Sequence, residues 1–95
     1  MNTRMWARVM RQHRILRQET EPCAHDGAQE ALEAVCYRMD LPKPLWLPKN
    51  QREWDEFNQT RFTQEHFVEA IPFDRLEIEY INPRAPKRRD PRNEF

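Results

Sequence analysis

From Arg4 to Met10 the chain alternates, with Met5, Ala7 and Val9 on one side and Arg4, Trp6, Arg8 and Met10 on the other. A period of two predicts a β-strand. The short polar break Arg11-Gln12-His13 is followed by Arg14-Ile15-Leu16-Arg17-Gln18, which can return as the second strand of a hairpin. The break lacks the Asn-Gly or Asp-Gly dipeptide that marks the favoured two-residue turns. Pro22 ends this unit.

A helical period follows. Ala28, Ala31, Leu32, Val35, Cys36 and Met39 fall on one face at three- and four-residue spacing, and Asp26 with Gln29 matches a capping box. Asp40-Leu41-Pro42 stops the helix, because the residue before a proline is pushed out of the α region. Pro42, Pro44 and Pro48 then forbid helix and predict an extended strap through Leu45, Trp46 and Leu47. Asn50 with Glu53 predicts a second helix of two to three turns carrying Trp54 and Phe57. Thr63 can cap a third short helix with Phe67 and Val68, closed by Pro72. Finally Leu76, Ile78 and Tyr80 alternate with Glu77 and Glu79, the pattern of a strand packed on one face.

The order β-β-α-α-α-β predicts an α+β domain, a three-stranded sheet with its first strand central and helices packed on one face. The last strand, residues 75–81, is then an edge. On the open face Arg4 and Arg8 fall near Glu77 and Glu79, together with Trp6, Met10 and Ile81. A domain over residues 1–82 is expected to precede a tail, 83–95, rich in proline and arginine with almost nothing to bury.

Composition changes this picture in two ways. Mean hydropathy is −1.08 and 34% of the 95 residues are charged, so the core must be lean and must rely on the three Trp, five Phe, two Tyr and four Met. The formal net charge of zero is a cancellation: residues 1–20 carry +4, residues 83–95 carry +3, and the middle carries −7. Basic ends on an acidic body point to charged partners or to folding back of the ends.

Little chemistry is encoded. One Gly and no Ser exclude a serine nucleophile, a P-loop and a dinucleotide-binding glycine turn. His13, Cys23, His25, Cys36 and His66 lack zinc-site spacing, and no metal or cofactor is expected. Cys36 sits in the helical stripe, where a buried thiol is inert, and both cysteines are expected to be free. Glu53, Glu56, Glu65, His66 and Glu69 read as exposed helix faces rather than as an acid–base cluster, and no enzyme activity and no small-molecule substrate are expected. The chain shows no membrane-length apolar run, and the arginines at its start leave no signal-peptide pattern, so a cytosolic location is expected.

Met5-Trp6-Ala7-Arg8-Val9, the stretch from Cys36 to Lys49, and Phe73-Asp74-Arg75-Leu76-Glu77-Ile78-Glu79 resemble a family of small uncharacterised cytosolic proteins from clostridia and related bacteria, over most of residues 4–81. The resemblance implies a stand-alone single domain and no catalytic residues.

Two functional readings follow. In the first, a protein partner or a second copy of the chain docks on the open face at Trp6, Arg4, Arg8, Met10 and Ile81, or along the edge strand. In the second, RNA binds to Arg8, Arg14 and Arg17 of the hairpin with Trp6 as a stacking platform, aided by Arg84, Lys87, Arg88, Arg89 and Arg92 of the tail.

Overall fold

The elements follow the chain as β1 (Arg4–Arg11), β2 (Arg14–Pro22), a 3-10 turn (His25–Gly27), α1 (Ala28–Arg38), α2 (Pro48–Phe57), β3 (Gln59–Phe62), a second 3-10 turn (Gln64–His66) and β4 (Arg75–Ile81). The computed structural model describes residues 3–83, so the expected tail beyond Pro83 lies outside the described residues. The strands form one antiparallel sheet in the order β2-β1-β4-β3.

The expected three-stranded sheet is therefore corrected to four strands, the added one being β3, and the expected third helix after Thr63 is a single 3-10 turn. Thr60 and Phe62 are buried while Arg61 is exposed, which is strand alternation in a segment too short to show it in the sequence. Val68, expected on a helix face, is 93% exposed, and Phe67 is buried. Strand β4 is consequently interior, not an edge: β3 pairs with it from Leu76 to Glu79. Strand β1 lies between β2 and β4.

One side of the sheet carries the core. Met5, Ala7 and Val9 of β1, Leu76 and Ile78 of β4 and Phe62 of β3 pack against Ala28, Ala31, Leu32, Val35 and Cys36 of α1 and Trp54 of α2. Trp54 is wholly buried and joins Trp46, Tyr80 and His25 by ring contacts. It donates from Nε1 to the His25 carbonyl at 2.8 Å. Phe57, the other aromatic of α2, is exposed.

The helix ends also differ from the capping patterns in the sequence. Asp26 lies in the 3-10 turn, Gly27 is the residue before α1, and no side chain caps that end. Helix α2 begins with Pro48, so Asn50 is not the residue before the helix but its third residue, wholly buried in the first turn. Its Oδ1 accepts from the Leu47 N–H at 2.9 Å, and its Nδ2 donates to Thr60 Oγ1 and the Arg61 carbonyl. The α1 C-terminus does end where expected. Asp40 has φ of 56°, and the Leu41 and Asp40 N–H groups close the last turn on the carbonyls of Cys36 and Tyr37.

Candidate functional site

The face of the sheet away from the helices is open among the described residues. Strand alternation puts Trp6 and Arg8 of β1 there, opposite Thr20 and Gln18 of β2 and Glu79 and Glu77 of β4. Arg8 is the hub. Its Nε and Nη2 donate to Glu77 Oε1 at 3.2 and 3.1 Å, its Nη1 donates to Glu79 Oε1 at 3.1 Å, and its guanidinium lies 4.3 Å from the Trp6 ring centroid. Trp6 Nε1 donates to Gln18 Oε1 at 2.8 Å. The indole is thus held by a cation on one side and a hydrogen bond at its edge.

Glu77 also accepts from Arg75 Nε at 2.6 Å. Burial raises the Glu77 pKa, but the hydrogen bonds and charges of Arg75 and Arg8 outweigh it and hold the carboxyl below its ordinary range. The Arg8 side chain is only 11% exposed, so this ion-pair row is better shielded from solvent than an ordinary surface pair.

Of the other expected contact residues, Arg4 stands opposite Ile81 at one end of the face and Met10 opposite Arg75 at the other. Met10 is nearly buried and Ile81 half-buried, so the row offers less free apolar surface than the alternation implied. Trp46 does not cover it. That side chain packs on Trp54 and Phe62 in the helix layer, on the far side of the sheet, and the strap is fastened there by the Leu45 N–H on the His66 carbonyl.

On each edge strand one backbone carbonyl is taken by a side chain. Arg38 Nη2 donates to the Thr20 carbonyl of β2 at 2.8 Å while its other nitrogens reach Glu19 and Glu21 at 3.1 and 2.7 Å. Hydrogen bonds from the two glutamates raise the Arg38 pKa further, first from Glu21 and then from Glu19. Asn50 does the same for the Arg61 carbonyl of β3. A side-chain donor on an edge carbonyl removes an acceptor that an incoming strand would need. The strand-addition reading, placed on residues 75–81, loses its edge because β3 pairs there.

The arginines expected to meet RNA fare differently from one another. Arg8 is committed to two glutamates and Arg17 Nη1 donates to the Met39 carbonyl at 2.7 Å. Arg14 is exposed and stands opposite Arg11, because β1 runs one residue further than its alternation predicts and the turn is Gln12-His13 alone. Arg84, Lys87, Arg88, Arg89 and Arg92 lie outside the described residues.

Cys23 and Cys36 are free. Burial, opposed by the Lys43 charge, pushes the Cys36 thiol up to about 11, and burial with the Glu21 charge raises Cys23. His66 is buried, with Nδ1 accepting from the Thr63 N–H, and Glu53 accepts from Thr60, so neither belongs to an exposed acid–base cluster. Among the described residues no group of three or more His, Cys, Asp or Glu is placed to hold a metal ion, and no helix is long and apolar enough to cross a membrane.

Comparison with family models, with curated proteins and with solved structures finds no match to this chain. The function therefore rests on the surface itself. A sheet with one open face and an aromatic cluster behind it is consistent with an interaction surface in general.

Proposed function

We propose that the protein is a non-enzymatic interaction module whose open sheet face binds a protein partner, with Trp6 at the centre of the contact. The observation that carries the reading is the indole of Trp6 held in place by Arg8 and Gln18 on a face that nothing else among the described residues covers. Trp and Arg are the side chains that most often dominate binding energy when truncated, and a preset aromatic loses little conformational entropy on docking. Membership of the clostridial family that the sequence resembles is part of this proposal and adds no activity to it.

The RNA reading on the same face is weaker. Phosphate would have to compete with Glu77 and Glu79 for Arg8, and a stacking base would have to displace that guanidinium from the indole. The test is affinity purification of tagged wild-type and Trp6→Ala chains from the native cell, with nuclease and high-salt arms. A nuclease-resistant protein that co-purifies with wild type and is lost in the variant, whose melting temperature stays nearly unchanged, is expected. Retention of the same protein by the variant overturns the reading, and so does recovery of nothing but nucleic acid.

A further inference from the structure

We propose that the tip of the β1-β2 hairpin is a phosphate-binding site, in which Arg11 and Arg14 form a two-armed clamp for a nucleotide phosphate, free or within an RNA strand. Arg11 and Arg14 are the pair that closes the hairpin, directly opposite one another and both exposed. Like charges in that position oppose pairing of the strands. No carboxylate among the described residues joins either of them, whereas Arg8, Arg38 and Arg75 each have glutamate partners. Arg11, Gln12, Arg14 and Leu16 line an open groove of about 410 Å³, room enough for a phosphate group.

The tip is also preset. Gln12 takes a left-handed conformation with φ of 56°, unusual for a residue that is neither Gly nor Asn, and it is held by tertiary contacts. Its N–H donates to Asp74 Oδ2 at 2.5 Å and its carbonyl accepts from Arg75 Nη1 at 3.3 Å. A two-residue turn fixed from outside places both guanidiniums on a rigid base, and paired guanidinium forks match the oxygens of a phosphate. Arg11 lies five positions along β1 from Trp6, beyond the register shift at Val9 and Met10, so the clamp sits at the hairpin tip and apart from Trp6. This site goes beyond the protein-binding reading and does not depend on it.

The experiment titrates the full chain with a fluorescein-labelled single-stranded oligouridylate, followed by anisotropy over a series of KCl concentrations, with ADP, inorganic phosphate and a polyglutamate peptide as competitors. Arg11→Ala/Arg14→Ala is expected to weaken RNA binding at least tenfold and to lower the log–log salt slope by about 1.4, the loss of two single-strand phosphate contacts. Lys49→Ala/Arg52→Ala, which removes the same charge from α2, is expected to bind as wild type. If ADP shifts the Nε–H resonances of Arg11 and Arg14 without RNA binding, a free nucleotide is the ligand and the site stands. Equal losses in both double variants, no binding of any phosphate probe, or competition by polyglutamate as strong as by ADP overturns it.

Discussion

The Gln12 N–H donates to the Asp74 carboxylate at 2.5 Å, across 62 residues of sequence, and so the β1-β2 turn is held by the segment that leads into β4. The Asp74 N–H in turn donates to the Met10 carbonyl at 2.9 Å. A turn without a favourable dipeptide is stable here because its left-handed residue is bonded from outside.

Asp74→Ala is expected to destabilise the domain by about 1–2 kcal/mol, since it leaves the Gln12 amide without its acceptor. Gln12→Gly relieves the left-handed backbone and should return about 1 kcal/mol of that loss in the double variant. Urea unfolding of the four proteins measures both effects, and strict additivity with no gain from glycine would contradict the assignment.

Asp40→Gly is expected to stabilise the protein by about 0.5–1 kcal/mol, because Asp40 closes α1 in the left-handed region where a Cβ is unfavourable. Its side chain is exposed, so little else is lost. Thermal melts should show a rise of a few degrees.

Asn50→Ala removes donors from Thr60 and the Arg61 carbonyl and the acceptor of the Leu47 N–H in a wholly buried position. A loss of about 2–3 kcal/mol is expected, with the β3 amides exchanging faster by hydrogen-exchange NMR. Arg38→Ala should leave the fold intact but free the Thr20 carbonyl and the β2 edge. Sedimentation velocity is expected to show concentration-dependent self-association of this variant and none of the wild type through β2.

The Glu77 carboxyl is held below its ordinary value, so its ion pairs contribute stability above the unfolded value of 4.5 that is lost as pH falls through the lower folded value. Glu77→Gln should therefore flatten the stability profile below about pH 5. An unchanged acid slope in the variant would show that Arg8 and Arg75 do not act through Glu77.

Strand β1, the α1 stripe and β4 were legible in the sequence because each repeats a period long enough to read: Met5, Ala7 and Val9, then Ala28 to Cys36, then Leu76, Ile78 and Tyr80, whereas β2, exposed along most of its length, follows only as the return of the hairpin. Strand β3 was not, because two buried positions, Thr60 and Phe62, make no period, and Thr63 after them resembles a helix cap. Asn50 misled for a related reason. Its type suits a cap, yet Pro48 opens the helix before it, and only the fold shows that its amide faces Thr60. The Arg8–Glu77–Glu79 row followed from alternation once the first and last strands are set side by side, whereas the loss of the edge at β4 came from the pairing of β3, whose short segment shows no period.

The central claim is that the Trp6 face is where a protein partner docks. A photo-crosslinking residue in place of Trp6, compared with the same residue in place of exposed Glu33 on α1, tests it most directly in the native cell. A discrete, nuclease-resistant protein adduct from position 6 and none from position 33 is predicted. Equal adducts from both positions, or a nucleic-acid adduct alone from position 6, would contradict the account.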